Sequence, residues 1–591
     1  MKKILLLFIM LIPLCLLSTE TYIPPGPVSG TWTLANSPYL IEGEIYIENN
    51  EMLIIEAGVE VRFLGWYKLV VYGSLIADGD PESMIRFSSN SPAAYRWHGI
   101  RFLNNTLPSL LNNCIVEYGE TILSQGSSPD NCGGGIMILN SNNKITIANS
   151  IIRNNEAWYG GGISILRASP TIENCEITHN TAAVGGGIDG RTAGTPFISN
   201  CLIKYNSAGY GGGISMLSIS PLLEFNELKY NVATYNGGGL YLSSVENYEM
   251  KKNIVAFNSA NIGGAVYMLN VDGAIDANTF CYNDALDLGG GFYISSSSPH
   301  LRSNVVYFNS AFDGHQFYLA TTDSDPDFEH CNIRGGLLGF SGSGAGDNFT
   351  GLWDHCIDGD PLFNNPFQGD FSITWENYPE VDNTRSPCID AGCPGIFTEP
   401  DGTCCDIGAN CYLQLIDVPQ GLHSYVTPGT MTFFVAGWEP AYGALKYSLE
   451  VAKDETFRKI VLEIKNIEGV YAPITLPVPF TYCYFRVQAH NSAVVSAKSN
   501  PNLVELNPHQ LKENEKTEIN IYANSFGVQV ELGKDAQENG DIWIYNLAGQ
   551  LIAREVLNPG MNTINYLGDE QILLVKVLYE DKVTQKKLLV Y

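Results

Sequence analysis

The chain has 591 residues, with 62 acidic against 33 basic side chains and a net charge of −29 at neutral pH. This length is too great for one hydrophobic core, so roughly three domains or more are expected. The acidic balance argues against nucleic acid as a partner, because nucleic-acid recognition needs clustered Lys and Arg. With only 16% charged residues and 59 glycines, the composition is that of a turn-rich β protein and not of a disordered acidic chain.

The chain begins like a secretory signal. Lys2 and Lys3 precede an apolar run of 14 residues from Ile4 to Leu17, which predicts a signal peptide over residues 1–19. Pro13 interrupts the run, whereas a membrane-spanning helix needs about 20 apolar residues. We therefore expect a secreted protein, extracellular or on the outer-membrane surface, with no transmembrane segment once the signal is removed.

An internal repeat dominates the next part of the chain. Glycine clusters recur every 25 to 27 residues, at Gly133, Gly160, Gly185, Gly211, Gly237, Gly263 and Gly289. A period of this length indicates a solenoid. Within each repeat, stretches such as Leu240–Leu242 and Ile203–Tyr205 alternate with the period of a strand, and no helical period separates them. The repeat predicts an all-β fold, a right-handed parallel β-helix with three strands per coil.

In such a helix, identical positions of successive coils touch at about 4.8 Å. One column, predicted to form the core, is Ile152, Ile177, Ile203, Leu228, Val255, Phe280 and Val306. An aromatic column is expected beside it in the core: His179, Tyr205, Tyr230, Phe257, Tyr282 and Phe308. The asparagines that follow, from Asn155 to Asn309, are expected at turns, with αL geometry and hydrogen bonds between coils, while the glycines supply positive φ and close backbone approach.

Segments on either side of the repeats carry a resemblance to a known fold family. Leu53–Val59 and Val70–Ala77 before them, and Ser386–Gly392 and Asp406–Ala409 after them, resemble the ends of pectate-lyase-like parallel β-helix repeat proteins. The resemblance covers residues 40–411, and we assign residues 20–411 to this pectin-lyase-like domain. It implies the fold alone, because the fold hosts lyases, hydrolases, adhesins and proteins without known activity.

Two smaller β-sandwich domains are expected after Cys411. Tyr447–Ala452 and Tyr482–Ala489 alternate between proline-rich turns, and residues 412–507 resemble a fibronectin type III-like module with Trp438 in its core. A polar linker follows at 507–516. The last segment, with Ile542–Leu551, resembles the C-terminal sorting domain of the type IX secretion system over residues 517–591, although Gly568–Ile572 departs from the family pattern. That resemblance implies the type IX machinery as an export partner.

Candidates for catalysis are few. Asp189, next to Gly190 and Arg191, could bind a sugar or a cation, but a solvated Asp-Gly-Arg turn is the simpler interpretation. Lys204 and Lys229 stack in one outward column and could supply the base of a lyase, but solvated surface side chains are the favoured interpretation. No catalytic motif of a known family is matched.

An outward aromatic column is the more suggestive feature. Tyr241, Tyr267, Tyr293 and Tyr318 occupy one position in four successive coils. They are predicted to contact a glycan. The alternative is purely structural, because same-face aromatic neighbours stabilise a sheet by about 0.2–1 kcal/mol per pair.

Calcium and disulfides remain open at this stage. Turn aspartates offer oxygen ligands for Ca²⁺, although turn stabilisation alone is the favoured interpretation: Asp358, Asp360, Asp390, Asp401 and Asp406. At least one disulfide is expected among five clustered cysteines, Cys388, Cys393, Cys404, Cys405 and Cys411, whereas Cys175 and Cys201 are expected to be buried thiols.

The sequence favours a non-catalytic cell-surface β-helix protein that binds a glycan or another surface partner. An extracellular polysaccharide lyase or glycoside hydrolase is the first alternative, and a structural surface stalk is the second.

Overall fold

The computed structural model describes residues 20–506, except 106, 125–127, 398, 400, 402, 415, 427–430 and 492–493. Seven further strands lie between residues 519 and 589, with gaps between them. The predicted signal peptide and linker lie outside these residues, as do Asn546–Gln550 and Gly568–Gln571 of the predicted sorting domain. The chain divides into two compact units, Met1–Tyr412 and Leu413–Tyr591. Among the described residues, no helix is both long enough and apolar enough to cross a bilayer.

The first unit is a parallel β-helix of about 12 turns, which confirms the predicted fold class. We number its faces in the order in which one coil visits them. Face 1 is a sheet of 13 parallel strands: Thr21–Ile23, Tyr39–Ile41, Glu60–Phe63, Ile85–Ser89, Cys114–Glu117, Ile151–Arg153, Glu176–Thr178, Leu202–Lys204, Glu227–Lys229, Ile254–Ala256, Thr279–Cys281, Val305–Tyr307 and Asn332–Ile333.

In the part of the chain that the structure describes, the strands of face 2 lie in the middle coils, where they add a fourth strand to each coil. Its six parallel strands are Glu156–Tyr159, Thr181–Val184, Ser207–Tyr210, Val232–Asn236, Ser259–Ile262 and Asp284–Leu288. Each of these strands ends just before a glycine cluster.

Face 3 is formed by the strands that follow the glycine clusters and by their counterparts in the outer coils: Gly26–Pro27, Ile45–Ile47, Leu69–Val71, Ile100–Leu103, Ile136–Leu139, Ile163–Leu166, Ile188–Arg191, Ile214–Leu217, Phe292–Ser295, Phe317–Leu319 and Phe340–Ser341. Face 4 comprises Gly30–Trp32, Met52–Ile55, Ser74–Asp78, Ser109–Asn112, Asn142–Ala148, Ser169–Glu173, Phe197–Ser199, Leu222–Glu224, His300–Arg302, Asp327–Glu329 and Trp353–Asp354. Two long strands, Leu240–Lys251 and Val266–Asp276, run from face 3 into face 4 and join the two faces into one sheet.

The predicted apolar column is confirmed as core, since every member from Ile152 to Val306 has no exposed surface. The aromatic column was placed wrongly. Tyr205 is 47% exposed, and each aromatic from His179 to Phe308 has a φ of 56° to 58°. This αL turn breaks the alternation, so Tyr205 points outward and the next residue, Asn206, points inward. The rings still stack on the surface, with centroids 5.0 to 5.4 Å apart.

The asparagine column is therefore buried and not, as predicted, in αL geometry. Its hydrogen bonds between coils are as expected: Asn180 Nδ2 donates to Oδ1 of Asn206 at 3.0 Å and to the Ile152 carbonyl oxygen at 2.9 Å. A second buried column, from Asn226 to Asn304, does the same at the corner between faces 4 and 1. Positive φ does occur where it was predicted at the glycines, with values of 64° to 70° at the first glycine of each cluster.

The coils end at Asp354, and the chain then returns along the outside of the helix. A short hairpin, Phe363–Asn365 with Asp370–Ile373, is followed by irregular chain up to Tyr412, which we call the strap. The 3₁₀ helices of the unit are Leu34–Asn36, Gly336–Gly339, Gly346–Asn348 and Pro366–Gln368. The strap is tied to the coils by backbone and side-chain hydrogen bonds, such as Gly408 N–H to the Ser303 carbonyl oxygen at 2.7 Å.

In the second unit, seven antiparallel strands up to residue 505 form two sheets. One contains His423–Val426, Phe433–Gly437 and Tyr471–Thr475, and the other Ile460–Ile467, Lys446–Ala452, Tyr482–His490 and Asn502–Glu505. Trp438 is 1% exposed and packs in their common core. Seven more strands follow, again in a sheet of three and a sheet of four: Ile519–Asn524, Gly527–Leu532 and Gly560–Ile564, then Leu551–Leu557, Gly540–Tyr545, Ile572–Tyr579 and Lys582–Leu589.

Candidate functional site

The glycine clusters form a concave corner between faces 2 and 3, which we call the glycine corner. A Cβ atom on Gly237 would lie 2.5 Å from the Leu240 carbonyl oxygen and 2.9 Å from Tyr241 Cβ. No side chain larger than hydrogen fits at this position, so the backbone folds tightly inward. The outer side chains of face 2 and face 3 therefore meet across the corner, as in the edge-on contact of Tyr210 with Tyr241 at 5.6 Å between ring centroids.

The four predicted tyrosines lie on the face 3 side of this corner and form one continuous stack. Tyr241, Tyr267, Tyr293 and Tyr318 are in register on adjacent strands. Their successive ring centroids are 5.1, 4.8 and 5.6 Å apart, with planes within 13° of parallel. All four are half-buried. Because each inner ring covers the faces of its neighbours, the exposed parts are ring edges and hydroxyl groups.

Burial also fixes the protonation of this tyrosine ladder. It raises the pKa of Tyr241 and Tyr293, and it raises the pKa of Tyr267 to about 12. The phenol groups of these three tyrosines stay neutral at any ordinary pH, so they present a row of O–H groups that can donate and accept hydrogen bonds.

Two tyrosines on the opposite wall were missed by the sequence analysis. Tyr210 and Tyr235 belong to face 2, lie 5.2 Å apart by ring centroids, and are 37% and 54% exposed. The repeat carried a signal for them, since both fall within the two residues before a glycine cluster. They add aromatic surface on the face 2 side at the N-terminal end of the ladder, beside Tyr241.

The column of the ladder continues toward the N-terminus but is closed there. In-register positions below Tyr241 are almost fully buried: Ser215, Asp189, Ser164, Met137 and Arg101. Cys132, from the long connection after Cys114–Glu117, packs with Met137 and Leu166 over this part of the column. The open part of the corner therefore begins at Tyr241.

Asp189 lies in this enclosed part, which corrects the expectation of a solvated turn. Residues Ile188–Arg191 form a strand, and Asp189 has no exposed surface. Its Oδ2 lies 2.7 Å from Arg191 Nε, and the guanidinium stacks 3.5 Å from the ring centroid of Tyr159. Burial, opposed by Arg191, raises the pKa of Asp189 to about 6. Among the described residues Asp189 Oδ1 has no hydrogen-bond partner, which costs free energy, and the ion pair between Oδ2 and Arg191 offsets part of that cost.

The other two catalytic candidates lie on a different face. Lys204 and Lys229 are in register on face 1, whereas Asp189 belongs to face 3. Lys204 pairs with Glu176 at 3.2 Å and Lys229 with Glu227 at 2.7 Å. Lys229 is also buried beneath the hairpin, where its Nζ donates to the Gly369 carbonyl oxygen at 3.1 Å. The structure does not bring the three candidates together.

Four of the five candidate calcium ligands accept hydrogen bonds from backbone N–H groups, and the fifth, Asp390, pairs with Arg385 at 2.9 Å. Asp358 accepts from Gly335 N–H at 3.0 Å, Asp360 from Leu362 N–H at 3.0 Å, and Asp401 from Thr403 N–H at 3.1 Å. Asp406 accepts from the backbone N–H groups of Asp390 and Tyr412 at 2.7 and 2.6 Å. None of the five belongs to a group of three ligand atoms within 4.8 Å in the described part of the chain.

The expected disulfide among the five clustered cysteines is not formed. Cys388, Cys393, Cys404, Cys405 and Cys411 are all thiols, and so are Cys175 and Cys201, as predicted for that buried pair. The clustered sulfurs have separate partners. Asn332 Nδ2 donates to Cys388 Sγ at 3.2 Å, and Lys252 Nζ donates to Cys411 Sγ at 3.3 Å.

The fold and the corner define a right-handed β-helix repeat protein, and a comparison with protein families agrees. The family described as "Right handed beta helix region" matches residues 83–259. No curated protein matches the chain. The finer pectate-lyase type is not among these findings.

Solved structures with fibronectin type III domains are among the similar ones. The structure of FN3tt is 20% identical, with a TM-score of 0.14, and the match covers 16% of this chain and 97% of that one. A two-domain fibronectin type III segment of chicken tenascin is 11% identical, with a TM-score of 0.14. The match covers 29% of this chain and 99% of that one. The BSP domain of a biofilm associated protein is 13% identical, with a TM-score of 0.15, and covers 30% of each chain. At such scores these likenesses support no argument about function.

Proposed function

We propose that this chain is a non-catalytic extracellular protein that binds a polysaccharide along the glycine corner. The observation that carries the proposal is the in-register tyrosine ladder from Tyr241 to Tyr318, facing Tyr210 and Tyr235 across the corner. A linear row of equivalent groups, repeated once per coil, suits a ligand that is itself linear and repetitive.

The ladder would bind sugars through its edges and hydroxyl groups. A polysaccharide presents both C–H faces and hydroxyls, and half-buried tyrosines offer apolar ring edges next to polar O–H groups. The rings are already held by stacking on one another, so binding immobilises little additional side-chain freedom. This preorganisation supports binding by many weak, equivalent contacts.

The charge of the protein favours a neutral polysaccharide over an acidic one. The chain carries a net charge of −29, and exposed Asp284 and Asp287 lie on face 2, one coil beyond Ser259–Ile262. An anionic polymer would meet like charge during approach, whereas a neutral polymer would not. The neutral phenols of the ladder add no positive charge to offset this.

The surroundings of the three catalytic candidates support binding without catalysis, and the two ends of the sequence support export to the surface. Asp189 is enclosed and paired with Arg191, and Lys204 and Lys229 are paired with glutamates on another face. A convergent acid and base are needed for a lyase or hydrolase. The predicted signal peptide and the resemblance to a type IX sorting domain support an extracellular location.

The test is binding of the chain from residue 20 to neutral and acidic polysaccharides in affinity electrophoresis, with release of reducing or unsaturated ends assayed in parallel. The variant Tyr267→Ser with Tyr293→Ser interrupts the ladder. The matched control is Tyr205→Ser with Tyr230→Ser, which removes two stacked tyrosines from the surface column between faces 1 and 2.

We expect retention on a neutral polysaccharide to fall at least about tenfold in the ladder variant and to stay near wild type in the control, without new chain ends. Equal loss in both variants, or no retention of the wild type on any polymer, would refute the proposal. Cleavage would instead establish the lyase or hydrolase alternative.

A further inference from the structure

We propose that His330, Asp354 and His355 form a binding site for a divalent transition metal, with Zn²⁺ as its occupant, at the C-terminal end of the β-helix. In the described part of the chain, this is the one group of three ligand-bearing side chains whose ligand atoms all lie within 4.8 Å of one another. The inference is independent of the proposed function.

The fold places the two histidines one above the other. Asp327–Glu329 pairs in parallel with Trp353–Asp354, and the next residue of each strand is a histidine in αL geometry, with φ of 51° at His330 and 48° at His355. Their rings stack with centroids 4.8 Å apart and planes 8° from parallel. The αL turn directs both side chains outward, as it does for the aromatic column between faces 1 and 2.

One ring nitrogen of His330 is already held in a way that suits metal binding. His330 Nδ1 lies 3.1 Å from the carbonyl oxygen of Ala391 in the strap. A carbonyl only accepts, so Nδ1 carries the proton and Nε2 carries the lone pair. A metal-bound histidine characteristically donates its other N–H to such a carbonyl, which fixes the ring orientation.

The remaining two ligands can close around an ion. His355 Nδ1 lies 2.7 Å from Asp354 Oδ1, so this nitrogen donates its proton to the carboxylate, and an ion bound by both groups would displace that proton. Zn²⁺ binds nitrogen and oxygen at about 2.0–2.2 Å, which requires the ligand atoms to approach closer than 4.8 Å. The His355 side chain is 69% exposed and has room to rotate by that amount.

A second observation points to a cation here. Glu329 and Asp354 are directly in register on adjacent parallel strands, which places two carboxylates side by side. Like charges at opposed positions destabilise a sheet. Arg302, the in-register residue of the preceding coil, offsets the charge of Glu329 only in part, because its guanidinium is paired with Asp276 at 2.7 Å. A cation bound by Asp354 would relieve the repulsion.

The donor set selects the kind of metal. Two imidazoles with one carboxylate suit Zn²⁺ and other first-row transition metals, whereas Ca²⁺ and Mg²⁺ require oxygen ligands almost exclusively. Because His330 is tied to Ala391, an ion at this site would also fasten the strap to the last coils.

The test uses the chain from residue 20 without a histidine tag, titrated with Zn²⁺ against a chelating fluorophore, with the melting temperature recorded in Zn²⁺, Ca²⁺ and EDTA. His355→Ala removes one ligand. His300→Asn is the matched control, since His300 is 49% exposed on the same face and contacts Asp327 at 2.6 Å.

We expect one equivalent of Zn²⁺ to bind the wild type and to raise its melting temperature. His355→Ala should weaken binding by at least about tenfold, His300→Asn should not, and Ca²⁺ should not compete. The proposal fails if the wild type binds no Zn²⁺, if His355→Ala binds as tightly as wild type, if His300→Asn loses as much, or if Ca²⁺ displaces the ion. Circular dichroism confirms that each variant is folded.

Discussion

The side-chain amide of Asn206 donates to Oδ1 of Asn231 one coil further on, at 3.1 Å, and the backbone N–H of Asn206 donates to the same oxygen. Asn231 in turn donates to the Ile203 carbonyl oxygen at 2.9 Å. Each asparagine thus satisfies backbone groups that the corner removes from the sheet. Because the column is buried, water cannot replace these bonds.

Asn231→Ala should be strongly destabilising. The substitution leaves the Asn206 N–H and the Ile203 carbonyl without partners in the core, and each buried unsatisfied group costs about 1–3 kcal/mol. We expect a loss of about 3 kcal/mol or more in the free energy of unfolding, measured by denaturant titration. Asn200→Gly is the control: Asn200 is exposed with a φ of 51°, which glycine adopts freely, so its unfolding should be nearly unchanged. Equal losses of unfolding free energy in the two variants would show that the buried asparagine column does not account for the destabilisation.

The Asp189–Arg191 pair should be replaceable as a unit but not in part. Arg191→Leu alone leaves a buried carboxylate unpaired, and we expect a loss of about 3–5 kcal/mol. In the two adjacent coils, the in-register residues are Ser164 and Ser215 beside Asp189, and Leu166 and Leu217 beside Arg191.

The double variant Asp189→Ser with Arg191→Leu makes this coil match its neighbours, and we expect it to recover most of that stability. Thermal and urea unfolding of the single and double variants measure this. A double variant as unstable as the single one would point to a different role for Asp189.

His98 should make the β-helix sensitive to acid. It is 3% exposed, and its Nε2–H donates to the Asp130 carbonyl oxygen at 3.0 Å. Burial, together with nearby Arg101, lowers the pKa of His98 to about 3. The folded protein therefore holds His98 neutral while the unfolded chain takes up a proton below about pH 6.5.

Stability from this group is complete above pH 6.5 and is lost as the pH falls toward 3. By pH 4.5 the loss should be about 2–3 kcal/mol. His98→Gln, which cannot titrate, should lose less between pH 7 and 4.5 in urea unfolding. An identical pH dependence in both proteins would contradict this assignment.

Gly237→Ala should disrupt the glycine corner. Gly237 has a φ of 70°, and its added Cβ would lie 2.5 Å from the Leu240 carbonyl oxygen. The combined backbone strain and clash should cost more than about 2 kcal/mol. Gly346→Ala separates the two effects, because Gly346 has a φ of 63° with nothing within 4 Å of the added Cβ. Its unfolding free energy should fall by only about 1 kcal/mol. An equal fall in both variants would show that the clash of the Gly237→Ala Cβ atom does not contribute.

The repeat made most of the β-helix predictable. A repeat of 25 to 27 residues determines which residues are in register, so the core column from Ile152 and the tyrosine ladder from Tyr241 follow directly from the sequence. The pattern failed at the aromatic column, because one αL residue reverses the alternation and sends Tyr205 outward instead of Asn206. Periodicity alone contains no information on where such a residue lies.

The non-repetitive parts could not be predicted in the same way. Asp189 lies in the part of the column where Cys132, which belongs to no repeat, packs with Met137 and Leu166, so the repeat does not predict its burial. His330 and His355 are one coil apart in sequence, but they lie after the last glycine cluster of the repeat. The sequence pattern therefore does not show that they are in neighbouring coils. The domain boundaries and the sorting domain remain predictions.

Two strands, Leu240–Lys251 and Val266–Asp276, pass from face 3 to face 4. They make the resistance of the β-helix to unfolding by force differ from coil to coil. Elsewhere a coil pulled from its end can be peeled off one short strand at a time, since each corner interrupts the hydrogen bonding. Between these two strands the pairing continues around the corner, so bonds on both faces must shear together. A force that unravels the β-helix coil by coil would therefore meet its greatest resistance at these two strands, in the C-terminal half of the β-helix, where the tyrosine ladder begins.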